Sequence, residues 1–256
     1  MSTVVELDWT FSPPDYFEEP FEISRDGYSI TIANGKVQAK IDSGVYDADP
    51  SLRQNLDEGL KDRFLGVQLL SHRSYELSKS TMTRLHPEGR KDIFLELEPA
   101  RIVISGATVD IRLTDRDGNV VSDSRAERIE RKRSLAELVA KHRSTDALLD
   151  SLLSSYDAAV RDPNNELVHL YEIRDALSVR CGGEAAARAM VGITSSQWSR
   201  MGQLCNDEPL RQGRHRGKSG GALRDASEGE LTEGRQIARA MIEGYLRHLE
   251  RSNSTK

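Results

Sequence analysis

The chain has 256 residues, of which 37% are hydrophobic and 30% are charged, and its formal net charge is -5. This length allows one large domain or two ordinary ones, each with a core that needs no disulfides. The negative charge excludes a protein drawn to nucleic acid by bulk electrostatics, so any anion site must be local. No stretch approaches the roughly 20 apolar residues that span a bilayer, and the N-terminus has no signal-peptide pattern, so we expect a cytoplasmic protein without a membrane partner.

Apolar and polar residues alternate through the first half of the chain, from Thr3 to about Ser124. The alternating runs 28–32 and 37–41 flank Asn34-Gly35, which is a strong signal for a tight β-hairpin turn. Further strands are expected at residues 64–71, 75–84, 92–98, 101–104 and 108–114. This half is therefore predicted to be an antiparallel sandwich or barrel.

One helix is expected to interrupt these strands. Asp49-Pro50-Ser51 offers a helix start, and Leu52, Leu56 and Leu60 then repeat every four residues.

The hydrophobic period changes after Ser124 and stays helical to the end of the chain. Ser144-Thr145-Asp146 and Thr194-Ser195 are typical helix caps, and Gly182-Gly183 is a typical helix end. Helices are expected at about residues 126–142, 147–161, 166–179, 184–190, 195–206 and 227–250. The predicted fold class is therefore α+β, with a β-rich sensing or docking domain at 1–123 and an all-α bundle at 124–256.

The last predicted helix carries a broad apolar stripe, formed by Ile237, Ala240, Met241, Tyr245 and Leu249. One small bundle would not cover so wide a stripe completely. The stripe therefore predicts a homodimer through the helical half.

A short basic segment stands out in this acidic chain. Arg211, Arg214, Arg216 and Lys218 surround His215 within eight residues. Guanidinium groups hold phosphate, and an imidazole transfers protons near neutral pH, so this combination suits cleavage of RNA through its own 2′-hydroxyl. A solvated, glycine-rich connector is the plainer interpretation of the same residues.

Other catalytic signatures are absent from the sequence. There is no Walker A sequence, no GxGxxG after a strand, no GxSxG elbow and no HExxH. The histidines show no metal-ligand spacing, and Cys181 and Cys205 are not in a CxxC arrangement. We therefore expect neither a metal site nor a cofactor.

The order of elements in the helical half resembles a known superfamily. A helix ending in ELVHLYEIRDAL, a helix ending in WSRMGQLCND, the basic segment and a closing helix RQIARAMIEGYLRHLE resemble the HEPN superfamily, particularly the HEPN-like domains of bacterial anti-phage and toxin systems. The resemblance covers about 100 residues and none of the N-terminal half. It implies an antiparallel helical bundle, a dimer and a metal-independent endoribonuclease, or else a non-catalytic RNA-binding, nucleotide-binding or dimerisation module.

The resemblance also implies roles for individual residues. His215 would be the general acid or base, Arg211 and Arg214 would stabilise the transition state, and Asn206 would position the phosphate. Arg216 and Lys218 would bind substrate.

Two acids would support the motif from the preceding helix. Glu172 and Asp175 lie three residues apart on the helix that faces the motif in such a bundle, so one of them could orient His215. As an alternative, they are solvent-facing partners of basic side chains.

The sequence departs from the superfamily motif at its arginine. Counting back from His215, the usual arginine positions hold Glu208, Pro209 and Leu210, whereas Arg211 lies one residue too close. Either the spacing is a variant or the domain is not a nuclease. The expected partners are accordingly RNA or a nucleotide, a second copy of the chain, and a protein bound by the N-terminal half.

Overall fold

The structure is a computed structural model that describes residues 3–88, 90–94, 110, 112–114, 120–214 and 222–253. Its contacts divide the chain into two compact units. Unit 1 comprises Met1–Val67 and Tyr75–Ala136, and unit 2 comprises Gln68–Ser74 and Glu137–Lys256. An antiparallel sheet in the N-terminal region and helices in the C-terminal region confirm the α+β class.

Unit 1 is built on an antiparallel seven-stranded sheet. The strand order is β2-β3-β4-β1-β6-β7, and β5 also pairs with β1. The strands are β1 (Val4–Ser12), β2 (Phe21–Arg25), β3 (Tyr28–Ala33), β4 (Lys36–Asp42), β5 (Glu76–Leu77), β6 (Thr81–Leu85) and β7 (Lys91–Phe94). A separate pair joins β8 (Arg112–Thr114) to β9 (Val120–Asp123).

The predicted β-hairpin is confirmed. Strands β3 and β4 pair directly, and the turn between them places Asn34 at φ 50° and Gly35 at φ 77°. Both positions need the left-handed region in a type I′ turn, which asparagine and glycine tolerate best. The local turn therefore fixes the register that puts Val37, Ala39 and Ile41 in the core.

A long helix covers the buried face of this sheet. After the short α1 (Ser43–Ala48), helix α2 (Leu52–Ser71) contacts β1: the Trp9 indole donates to Asp57 over 2.6 Å, and the Phe11 and Phe64 rings lie 5.2 Å apart. The expected helix is thus confirmed. The expected strand at 64–71 is wrong, because these residues continue the helix. The second layer is helical, and the sheet runs from β2 to β7 without pairing these two strands in the described residues, so the expected sandwich or barrel is wrong as well.

The first part of α3 (Ser124–His142) packs in unit 1 and carries an ion-pair cluster. The Glu18 carboxylate accepts from Arg128 at 2.6 Å and from Lys132 at 2.5 Å. The Arg128 hydrogen bonds, together with Lys132, lower the pKa of Glu18 to about 2 against the opposing effect of burial.

The strands that follow α2 differ in their bounds from the expected ones. The expected strand 75–84 is divided into β5 and β6, and β7 lies at the start of the expected strand 92–98. Its remainder and the expected strand 101–104 lie outside the described residues. The expected strand 108–114 overlaps β8.

The helices of unit 2 follow the predicted order. They are α4 (Ala147–Arg161), α5 (Glu166–Cys181), α6 (Glu184–Val191), α7 (Ser195–Gly202) and α8 (Glu228–Asn253). Asp146 and Thr194 cap α4 and α7 through their side chains, and Gly182 ends α5 in the left-handed conformation. The caps that the sequence indicated therefore set the helix ends.

A buried ion pair ties α5 to α8. Glu166 is only 2% exposed, and both of its carboxylate oxygens accept from Arg235, at 2.6 and 2.9 Å. His72, whose φ of 47° is left-handed, brings its Nε2 within 3.4 Å of the same carboxylate. Burial alone would raise the pKa of Glu166, but His72 and Arg235 outweigh it and hold the pKa below its ordinary value.

The apolar stripe of α8 faces the core of unit 2. Ile237, Met241 and Tyr245 are buried within the single chain, whereas Ala240 and Leu249 are half-buried. The stripe is thus covered in part by the chain itself, and the homodimer stays a prediction.

The hydrophobic period changes at Ser124, where α3 begins, but the boundaries between the two compact units lie at other positions in the chain. The first residues of α3, up to Ala136, belong to unit 1, and the segment Gln68–Ser74 at the end of α2 belongs to unit 2. Separate folding of 1–123 and 124–256 stays a prediction. Within the described ranges, no helix is long and apolar enough to cross a membrane.

Candidate functional site

A π-helical turn lies shortly before the basic segment. Directly after α7, residues Gln203–Asp207 form one π-helical turn, a local widening that is frequent at functional sites. Asn206 lies in this turn, and its buried Oδ1 has no hydrogen-bond partner among the residues described. A buried amide oxygen without a donor is costly.

Backbone hydrogen bonds join Arg224 to the residues at the start of the basic segment. The Arg211 N–H donates to the Arg224 carbonyl at 3.0 Å, and the Arg224 N–H donates to the Pro209 carbonyl at 3.0 Å. The Arg211 side chain is 62% exposed and lies 3.9 Å from Asp225. Arg211 therefore extends into solvent, where its guanidinium is accessible to an anion.

Arg214 is attached to α5 by side-chain and ring contacts. Its Nη1 donates to the Asp175 Oδ2 at 2.8 Å, and its guanidinium carbon lies 4.5 Å from the centre of the Tyr171 ring. The Arg214 N–H also donates to the Cys205 carbonyl at 2.7 Å. These contacts fix the backbone and side chain of the residue immediately before His215.

A second guanidinium continues this cluster along α5. The Arg174 guanidinium carbon lies 5.0 Å from the centre of the Tyr171 ring and 4.8 Å from the centre of the Trp198 ring. Arg174 donates to the Tyr171 hydroxyl, and its Nη2 lies 3.6 Å from Glu184. Tyr171 and Arg174 were not among the expected site residues. Their spacing of three residues, which puts an aromatic ring and an arginine on one helix face, was the available signal.

Cys205 lies beside this cluster but cannot act as a nucleophile at neutral pH. Burial raises the pKa of its thiol to about 12, although Arg174 and Arg214 act in the opposite direction. The thiol therefore stays protonated and packs as a small apolar group.

Of the two acids expected beside the motif, Asp175 is the one that contacts its described residues. Glu172 is exposed, accepts from Ser155 at 3.3 Å and lies 3.8 Å from the His169 Nδ1. Asp175 contacts Arg214 instead of reaching a histidine in the described part of the chain. Its charge can orient the arginine of the segment.

Three expected site residues, His215, Arg216 and Lys218, lie outside the described residues. The described part of the site thus consists of Asn206, Arg211 and Arg214, with Asp175 and Tyr171 as supports. Arg211 and Arg214 each lie near one carboxylate, so this part carries little net charge. Across the described ranges, no group of three or more His, Cys, Asp or Glu residues is arranged to hold a metal ion.

The chain shows no match to known proteins in three comparisons. No family model matches it, and no match was found among curated proteins or among solved structures.

Proposed function

We propose that the helical region is a metal-independent endoribonuclease of a bacterial defence or toxin system, acting at the basic segment. The observation that carries this proposal is the anchoring of Arg214 by Asp175 and Tyr171. It holds a phosphate-binding group one residue before His215. The defence setting is supported only by the resemblance of the helical half to HEPN-like domains.

Cleavage would use the 2′-hydroxyl of the RNA itself. His215 as general base removes the 2′-hydroxyl proton, the 2′-oxygen forms a bond to the adjacent phosphorus, and the bond to the 5′-oxygen breaks. The leaving oxygen takes up a proton, so the products are a 2′,3′-cyclic phosphate and a 5′-hydroxyl. Arg211 and Arg214 stabilise the charge on the phosphorane, Asn206 positions the phosphate, and Arg216 with Lys218 holds the strand.

The alternative is an RNA-binding or nucleotide-binding module that does not cleave. The nearby carboxylates favour it, because Asp175 and Asp225 partly neutralise the arginines that a nuclease would use on the transition state. In this alternative, the β-rich region docks a protein partner and the helical region holds RNA.

A homodimer is part of the proposal because the resembled superfamily is typically dimeric. Light scattering decides it: a monomer has a mass of 28.6 kDa, and a dimer has twice that mass. Since Met241 is fully buried, Met241→Asp should unfold unit 2 instead of producing a folded monomer.

The experiment is cleavage of an unstructured RNA by the purified chain in excess chelator. We expect 2′,3′-cyclic or 3′-phosphate ends, no cleavage of an RNA with 2′-deoxy substitution at the cleaved position, and a loss of about 10²- to 10⁴-fold in rate for His215→Ala. His248→Ala is the control, because this half-buried histidine stacks on Tyr245 at the end of α8.

Two results would contradict catalysis. If the chain bound the RNA but did not cleave it, the binding module that does not cleave would be the function. Equal rates for His215→Ala and His248→Ala would show that His215 transfers no proton.

A further inference from the structure

A solvent-open cleft of about 620 Å³ lies between α7 and α8 in unit 2. Its lining includes Arg200 and Gln203 on one side and Glu233 and Gln236 on the other. The volume falls within the range of about 300–1,000 Å³ that is typical of small-ligand sites. No residue of this cleft was part of the site expected from the sequence.

An ion pair joins the two sides of the cleft, α7 and α8, and a second ion pair holds the same arginine. The Arg200 Nε donates to Glu233 at 3.0 Å, and its Nη1 donates to Glu208 at 2.6 Å. These bonds lie in the guanidinium plane, so they leave the flat face for stacking. The single positive charge of Arg200 faces two carboxylates, Glu208 and Glu233, so the cleft does not favour an anionic ligand such as phosphate.

The other polar groups of the lining include two serine hydroxyls and three carboxamides, two of which face each other from α8 and the turn after α7. Gln203 and Gln236 are exposed, and neither side chain hydrogen-bonds to any residue in the described ranges. Each carboxamide offers donors and an acceptor in one plane. Such groups pair side by side with the edge of a planar heterocycle, as glutamine does with N6 and N7 of adenine.

We propose that this cleft binds a nucleobase, with adenine as the preferred base. The base stacks on the face of Arg200, and Gln203 and Gln236 both hydrogen-bond to its edges. Stacking on arginine planes combined with edge hydrogen bonds is how proteins read unpaired RNA bases.

The cleft and the basic segment share their framework. Gln203 and Asn206 belong to the same π-helical turn. Glu208, which accepts from Arg200, also accepts from the Arg224 side chain at 3.0 Å. The Arg224 backbone in turn hydrogen-bonds to Pro209 and to Arg211 of the basic segment. A strand whose phosphate contacts the segment would therefore have a base site on the same turn. The identity of the ligand as RNA rests on the proposed function, whereas base binding by the cleft can be measured without it.

The test is a titration of the full chain with adenosine, guanosine, cytidine and uridine. Binding is measured by calorimetry and by NMR of the glutamine side-chain amides. We expect saturable binding that is strongest for adenosine. Gln203→Leu and Gln236→Leu should each weaken it by about five- to tenfold, the loss expected for one or two hydrogen bonds. Gln54→Leu is the matched control, because Gln54 is an exposed helical glutamine in unit 1.

Several outcomes would overturn base binding by the cleft. They are no saturable binding of any nucleoside, equal binding of all four nucleosides and of ribose, and an equal effect of Gln54→Leu. Circular dichroism verifies that the variants fold. A chain that binds adenosine but leaves RNA intact would contradict only the nuclease. A chain that cleaves RNA but binds no nucleoside would contradict only the cleft.

Discussion

Asp175 on α5 accepts a hydrogen bond from Arg214 at 2.8 Å, although the two residues are 39 positions apart in the chain. The bond places a negative charge beside a group proposed to bind phosphate. It therefore has two opposing effects: it orients Arg214, and it weakens the local attraction for RNA.

Asp175→Asn should separate these effects. Removing the negative charge should tighten RNA binding by about two- to fivefold at low salt, because less of the Arg214 charge is neutralised. Cleavage at saturating RNA should fall by about tenfold, because Arg214 and the adjacent His215 are no longer held in place. The measurements are an RNA-binding titration and single-turnover cleavage.

Glu172→Gln is the matched control for this variant. It removes the same charge three residues earlier on α5, at a side chain that contacts Ser155 and His169. If both variants changed binding and cleavage equally, the Asp175 contact with Arg214 would have no specific role.

Arg235→Leu should destabilise unit 2 strongly. Glu166 would stay buried while losing both of its guanidinium hydrogen bonds, and breaking such a pair costs about 3–5 kcal/mol. Urea unfolding followed by circular dichroism measures the loss. Arg247→Leu on the same helix is the control: its side chain is 60% exposed and 3.9 Å from Glu243, so it should cost less than about 1 kcal/mol.

Glu18→Gln should make unit 1 less stable at pH 7 and less sensitive to acid. The pKa of Glu18 is lowered to about 2 from its ordinary value of 4.5. A lowered pKa means that the stabilisation is complete above about pH 4.5 and is lost as the pH falls toward 2.

The expected loss for Glu18→Gln at pH 7 is about 1–2 kcal/mol after allowance for solvent screening, and it should vanish near pH 2. Thermal melts between pH 7 and pH 2 measure it. Glu22→Gln, at an exposed position on β2, is the control. A loss for Glu18→Gln that stayed constant with pH would exclude the ion pairs as its cause.

Gly244→Ala should disrupt the packing of α8 on α6. A Cβ at this position would lie 2.0 Å from the Val191 carbonyl oxygen, which is backbone and can move only with its helix. Overpacking of this kind costs about 1–3 kcal/mol or more. In Gly229→Ala on the same helix, the nearest atom would be 3.9 Å away, so no clash is expected there. Equal melting temperatures for both variants would contradict the close helix contact.

The sequence by itself determined the features that depend on local interactions. The Asn34-Gly35 turn and its two strands, the caps at Asp146 and Thr194, and the change to helical period at Ser124 all follow from short-range backbone preferences. The α+β class follows from these elements in order.

The tertiary structure decided what covers each apolar surface. Residues 64–69 are buried on every side of α2, so their apolar run has no helical period and suggested a strand. The stripe of α8 was visible in the sequence, but only the fold shows that Ile237, Met241 and Tyr245 are covered by the same chain, whereas Ala240 and Leu249 stay half-buried.

The contacts at the candidate site could not be predicted from the sequence, for a related reason. Arg214 and Asp175 meet because α5 and the end of the π-helical turn lie side by side, and a charge pattern along the sequence does not encode that proximity. The cleft between α7 and α8 likewise exists only once Gln203 and Gln236 are brought together by packing. Local propensities act over a few residues, whereas these sites join residues separated by more than thirty positions, which only the buried core can position.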